Sequence, residues 1–359
     1  MKKLLIALFS TAAALSLTVG AEAQEKLKAC WVYVGPIGDF GYSYQHDQGR
    51  LEVEKEFGDK VETAYLENVS EGPDAERAFE RLARQDCKII FGTSFGFMDP
   101  MVKVAAKFPD VKFEHATGYK RDHENVATYN SRFHEGRYVQ GVIAAKMSKS
   151  GVLGYIGSFP IPEVIAGINA TMLGAQSVNP NIKVKIIWVN TWFDPGKEAD
   201  AAKALADQGA DILMQHTDSP AAMQIAAQRN ILAFGQDSDM IKFGPKSQLT
   251  AIVNNWAPYY VKQVGAALEG KWKSEDTWDG LKEKMVFMAP YTNMPDDVKK
   301  MAQDTEAAII AGTLHPFKCP VVAQDGKTVE CKGGTHLDAG QILGMNFYVK
   351  GVDDKMPGK

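Results

Sequence analysis

The feature that most constrains this chain is an internal repeat. At a constant offset of 123 residues, Leu82-Ala83 matches Leu205-Ala206, Gln85 matches Gln208, and Ile89-Ile90 matches Ile212-Leu213. Each copy is the end of an amphipathic helix running into a buried strand. Composition alone could supply some of these matches, but an unbroken register across the junction argues for a duplicated α/β lobe. The surrounding sequence keeps the same rhythm. Strands are expected at 29–34, 61–66, 88–91, 111–113 and 126–129, and again at 151–156, 184–189, 211–214 and 231–234. Ala75, Ala78, Phe79, Leu82 and Ala83 recur at helical spacing after Pro73-Asp74, a helix start. Alternating strands and amphipathic helices predict parallel, doubly wound sheets.

The 359 residues suit two domains of roughly 150 residues each. Beyond Asn254 a helix at Trp256–Leu268, a strand near Met285–Met288 and a helix from Pro295 to Ile310 are too little for a third. These pieces complete the two lobes, with crossings near Tyr129, Asn254 and Ala289. The expected division is therefore 24–129 plus 255–289 for lobe 1, and 130–254 plus 290–359 for lobe 2. Ligands of open α/β sheets bind outside the strand C-termini, so the cleft between the lobes is the place to look.

The start of the chain sets the compartment. Two lysines, an apolar block from Leu4 to Val19 and Ala21-Glu22-Ala23 form a secretory signal peptide, residues 1–23, cleaved after Ala23. The block is shorter than the ~20 residues of a membrane span. Leu27-Lys28-Ala29-Cys30 resembles a lipobox only superficially, because Lys28 fits poorly and Cys30 lies well past the apolar block. A periplasmic location permits disulfides. Cys30 and Cys87 each precede a strand-ending glycine by five residues, and Cys319 and Cys331 flank a turn at Asp325-Gly326. The favoured pairs are Cys30–Cys87 and Cys319–Cys331; free buried thiols are the alternative. A net charge of −4, with Lys and Arg scattered, provides no footprint for nucleic acid or anionic lipid.

Four strand ends carry candidate ligand-binding residues. Gly35 to Tyr44 lacks G-x-G-x-x-G spacing, and Asp39 would repel a pyrophosphate at the following helix N-terminus. Asp39 and Tyr42 suit a neutral ligand with N–H or O–H donors; helix capping by Asp39 or Ser43 is the structural alternative. Gly92 to Asp99 offers Ser94 as a hydroxyl and Phe95 as an apolar wall. In Asn190-Thr191-Trp192-Phe193-Asp194, neighbouring rings on extended backbone point opposite ways, so one of Trp192 and Phe193 faces the cleft unless both are core. With Tyr42 it would clamp a flat heterocycle, at about 1–3 kcal/mol per ring. Gln215-His216-Thr217-Asp218 and Gly235-Gln236-Asp237-Ser238-Asp239 close the set, with Asp237 and Asp239 sharing a face if extended. No scissile-bond chemistry, nucleophile–base pair, zinc spacing or calcium ladder accompanies them. No catalytic residue, metal ligand or cofactor is expected.

These motifs, in this order after a signal peptide, resemble the BMP/PnrA-like family of ABC-transporter solute-binding proteins over about residues 26–315. The resemblance rests on Asp39-Phe40-Gly41-Tyr42-Ser43, Gly92-Thr93-Ser94-Phe95-Gly96, Phe193-Asp194 and Gly235-Gln236-Asp237-Ser238-Asp239. It implies a type I periplasmic-binding fold closing around purine nucleosides or related compounds. Tyr42 and Phe193 would be the stacking partners, with Asp39 and Asp237 as ligand-bonding carboxylates. One segment departs from the family: where nucleoside-binding members carry a lysine, this chain reads Val253-Asn254-Asn255-Trp256. That favours a free base, adenine foremost, with Asn254 and Trp256 at the site. A nucleoside ligand, a ligand-presenting sensor and, less favoured, a secreted nucleosidase are the alternatives. A membrane permease is the expected partner of a monomer.

Overall fold

The computed structural model describes residues 26–38 and 40–358. The expected signal peptide and Asp39 lie outside the described residues. The first sheet holds β1 (Leu27–Tyr33), β2 (Val61–Leu66), β3 (Ile89–Thr93), β4 (Lys112–Ala116) and β5 (Val126–Ser131). The second holds β6 (Val152–Gly157), β7 (Lys183–Trp188), β8 (Ile212–His216), β9 (Leu232–Asp237) and β10 (Gln248–Asn254). Two short strands follow, β11 (Asp276–Asp279) and β12 (Val286–Met288).

The strand orders show the duplication. They run β2-β1-β3-β4-β5-β11 in one sheet and β7-β6-β8-β9-β10-β12 in the other. The 123-residue offset carries β3 onto β8. It also superposes, within a residue, the helices before them, α2 (Pro73–Arg84) and α6 (Pro195–Asp207), once α1 (Tyr42–Phe57) and α3 (Met98–Ala105), α4 (Phe133–Met147) and α5 (Pro162–Gln176) are counted in their places. In each lobe the winding reverses between the first and third strands, β1/β3 and β6/β8. That reversal opens a crevice at their C-terminal ends.

β11 joins β5 in parallel, but β12 runs antiparallel to β10, with Val253 opposite Phe287. The expected division placed residues 255–289 together with lobe 1; the ladder to β10 corrects this. Val286–Met288 covers the open edge of the second sheet, so the third crossing falls between Asp279 and Val286.

Alternation along β1 explains how the first lobe packs. Cys30 and Val32 face a core with Phe79, Leu82, Met101 and Phe113, while Trp31 and Tyr33 face another with Phe91, Tyr129 and Tyr260. The remaining helices are α7 (Ala221–Arg229), α8 (Ala257–Leu268), α9 (Asp296–Ile310) and α10 (Ala339–Leu343). α8 packs on α1 in the first lobe, and α9 on α4 in the second. The α4–α5 crossing is close enough that a Cβ on Gly141 would lie 2.9 Å from Ala175 N.

Both expected disulfides form. The shared five-residue spacing to a strand-ending glycine does not set the first pair directly opposite each other, because the β1–β3 register pairs Cys30 with Ile90. Cys87 precedes β3, and its Cα still comes within 5.9 Å of Cys30. The C-terminal segment, which carries the second bridge, lies on the second lobe. Val184 of β7 bridges to Val352, and the buried Asn169 of α5 bonds Phe347 O and Val349 N. Among the described residues, no helix is long and apolar enough to cross a membrane.

Candidate ligand-binding site

Where the strand C-termini of the two lobes face each other, a cavity of about 370 Å³ opens. The first lobe supplies Val34, Tyr42, Ser94, Phe95 and Thr117, from the ends of β1, β3 and β4. The second supplies Ile161, Glu163, Trp192, His216, Asp218 and Asp237, from the ends of β6, β7, β8 and β9. Among the described residues, no lysine or arginine lines the wall.

Of the expected ligand-binding residues, Tyr42, Ser94, Phe95, Trp192 and Asp237 meet at this cavity. Phe193, Asn254 and Trp256 are not among its lining residues. Trp192 is the member of the aromatic pair that faces inward; its ring rests 5.0 Å from Phe159, while Asp194 beyond caps α6 by accepting from Lys197 N. Trp256 is only 1% exposed and stacks on His46 at 4.5 Å, edge-on to Tyr42. It belongs to the core and supports Tyr42 from behind. Asp237 and Asp239 do not share a face, because Asp237 turns into the left-handed region at φ 60°. Asp239 instead accepts from Ile241 N and Gln248 Nε2.

Asp237 is held by amides. Gln236 Nε2 donates to it at 3.0 Å and Asn254 Nδ2 at 2.7 Å. Behind them the buried Arg137 guanidinium donates to Gln236 Oε1, Gln140 Oε1 and Gln215 O. It lies near the rings of Phe133 and Tyr155, 4.9 and 5.2 Å from their centres. With Gln236 Oε1 held by the arginine, the amide N–H of Gln236 is turned to the carboxyl. Burial pushes Asp237 up to about 7, against the pull of Gln236 and Arg137. Burial also pushes Glu163 up to about 8, with Asp237 adding to it. His216 is pushed well down by burial and by Arg137, which keeps its ring neutral. Burial thus raises both Asp237 and Glu163, while a third carboxylate, the buried Asp218, lines the same wall. Two buried atoms of these lining residues, Tyr42 Oη and His216 Nδ1, lack a partner from the protein, and buried polar groups are seldom left so.

The lobes touch around this cavity. Trp192 Nε1 donates to Glu71 at 3.2 Å, and the same carboxylate accepts from Ser94 Oγ and Gly96 N. Phe40 carries Lys242 over its ring at 3.3 Å, and its carbonyl accepts from Ser238 Oγ. Gly41 lies against the Asp218 backbone, so close that a Cβ there would stand 2.7 Å from Asp218 Cα. The loop after β8 is fixed by buried Glu198, which accepts from Thr217 Oγ1, Ser219 N and Ser219 Oγ.

A family model described as ABC transporter substrate-binding protein PnrA-like matches residues 26–315. The chain belongs to the Bmp family. It is similar to a protein of Brucella abortus (strain 2308) named as a purine-binding protein, 63% identical over 97% of this chain and 99% of that one. It is also similar to a putative ABC transporter glucose-binding protein of Haloferax volcanii, 37% identical over 94% of this chain and 83% of that one. Among solved structures, an ABC transporter solute-binding protein of Aeropyrum pernix K1 shares the fold at a TM-score of 0.71 and 18% identity. The match covers 82% of this chain and 94% of that one. This Bmp member therefore has the type I periplasmic-binding fold, and its family binds substrates rather than transforming them.

Glu163 at the cavity, and Glu71 and Glu198 beside it, lie outside the strand-end motifs. For Glu163 the duplication held a signal. It follows the first strand of the second lobe, one residue into α5, as Ser43 follows the first strand of the other lobe, one residue into α1. Asp218 and His216 stood in a recognised motif but had no assigned role.

Proposed function

We propose that this protein captures a neutral purine, adenine in preference to nucleosides, and passes it as a periplasmic monomer to the permease of an ABC importer. The observation that carries this reading is a cavity between the lobes with aromatic walls, no lysine or arginine among its described lining residues, and unpartnered polar atoms. Tyr42, Phe95 and Trp192 offer ring faces to a flat heterocycle, each stack contributing about 1–3 kcal/mol. Tyr42 Oη, His216 Nδ1 and the Asp237 carboxyl offer donors and acceptors for its edge. A phosphate would find no cation on the wall, so nucleotides are disfavoured. A lysine near Asn254 would hold Asp237 ionised to meet ribose hydroxyls; neutral Asn254 does not. The Brucella relative supports a purine.

Capture occurs by closure of the lobes about their three crossings, and no step of bond chemistry is assigned to Asp237. The Haloferax relative supports a second reading, a sugar against the same aromatic wall. Calorimetry on ligand-stripped protein with adenine, adenosine, guanosine and glucose separates the two. Tight adenine binding without glucose binding is expected. Tight glucose binding alone would overturn the purine, and micromolar adenosine binding without adenine binding would overturn the free base.

A further inference from the structure

Beside the ligand cavity lies a second cavity of about 490 Å³, lined among others by Tyr119, Asn130, Asp276, Trp278 and Leu343. Phe95, Thr117 and Glu163 line both. The three residues are thus the partition between the chambers. Phe95 begins a short turn after β3 and Thr117 follows β4 directly, so both are tied to rigid strands. Glu163 reaches in from the first turn of α5, and among the described residues it makes no hydrogen bond or ion pair.

We infer that Glu163 is a specificity-determining residue whose side chain closes the ligand cavity to the length of a free base and excludes the pentose from the second chamber. The inference rests on the purine reading above and deepens it. A nucleoside adds a bulky polar pentose to the base, and the second cavity is the space that adjoins the first across these three residues. The neighbouring chamber has the chemistry to take it: the Asn130 amide, the Asp276 carboxylate and the Thr117 hydroxyl all suit sugar hydroxyls. What stands between is the carboxyl of Glu163, which burial keeps largely protonated near pH 7. In that form it tolerates the apolar partition without a cationic partner and has an O–H to donate to a ring nitrogen of the base.

The chamber from which the pentose is kept is also bounded by the C-terminal segment. Leu343 lies beyond the residues matched by the family model. α10 packs on α5, the helix that carries Glu163, so the segment supports the partition from outside.

The test is calorimetry of the full mature chain with adenine and adenosine, for wild type, Glu163→Gln and Glu163→Ala. Thermal melts of the unliganded proteins establish folding. Wild type is expected to prefer adenine by at least tenfold, and Glu163→Gln, which keeps the volume and a donor, to keep that preference within threefold. Glu163→Ala is expected to shift the ratio at least tenfold toward adenosine by joining the chambers. A wild type that binds adenosine as tightly as adenine overturns the inference and leaves the purine reading standing. So does a folded Glu163→Ala protein with an unchanged ratio. Wild type that binds neither purine overturns both.

Discussion

Replacing Gly41 by alanine should separate ligand binding from folding. The added Cβ would stand 2.7 Å from Asp218 Cα and 2.9 Å from its carbonyl carbon, and closer still to the carbonyl oxygen. Carbon atoms prefer roughly 3.5–4.0 Å, so the overlap approaches 1 Å. The obstacle is backbone and cannot swing aside like a flexible side chain. Its loop is held by the bond from Asp218 N to Trp192 O and by Glu198. Forced overpacking costs about 1–3 kcal/mol. The contact joins the two lobes, so the cost falls on closure, and affinity should drop about 5- to 150-fold. Calorimetry with adenine measures that loss. Melting of the unliganded protein should move by less than a degree or two, because each lobe can fold without the contact. The ligand-induced rise in melting temperature should shrink accordingly. An affinity within twofold of wild type would refute the idea that closure brings Gly41 against Asp218. So would a melting loss in the unliganded protein as large as the binding loss.

Three further outcomes follow from the second lobe. Arg137→Ala leaves Gln140 Oε1, Gln215 O and Gln236 Oε1 without their buried donor; urea denaturation should show a loss of about 2–5 kcal/mol. Glu163 and Asp237 keep their protons up to about 8 and about 7, while unfolded carboxyls ionise near ~4. The native state therefore binds more protons between those values, so stability falls as pH rises. Buried His46, His115, His134 and His216 are all pushed down and oppose this below about pH 6.5. Melting between pH 6.5 and 8.5 avoids the histidines: the wild-type decline there should become shallower in the Glu163→Gln/Asp237→Asn double variant, with Glu114, also pushed up to about 7 by burial, supplying the remainder. Asn169→Ala removes both side-chain bonds to Phe347 O and Val349 N. The C-terminal segment should then be cut by protease at least several-fold faster, with adenine affinity read in parallel as a check on α5.

Much of the site was legible because strand-end motifs are local. A glycine, hydroxyl or aromatic just past a buried strand lies at the sheet edge in any doubly wound fold, which places Ser94 and Phe95 after β3; Tyr42 opens α1 and Asp237 ends β9. Trp192 and Phe193 were left undecided for a local reason as well: adjacent side chains point apart, but the sequence does not say on which side the other lobe lies. Trp256 misled because a large aromatic two residues past Asn254 looks like a cleft residue. The α1–α8 packing draws it into the core against His46. Asp239 misled through an assumed extended backbone, which the left-handed turn at Asp237 removes.

The sequence by itself determined the two lobes, their likeness and the alternation that makes their sheets parallel, because these are set by side-chain period and by a repeat preserved in register. It also marked both cysteine pairs. Only the tertiary structure decided where β12 pairs, since an edge strand of three residues carries no period and goes wherever backbone donors are open. It also decided what surrounds the carboxyls. Glu163 and Asp237 lie 74 positions apart in the chain, and the wall they share exists only once the C-terminal ends of β6 and β9 face one cavity.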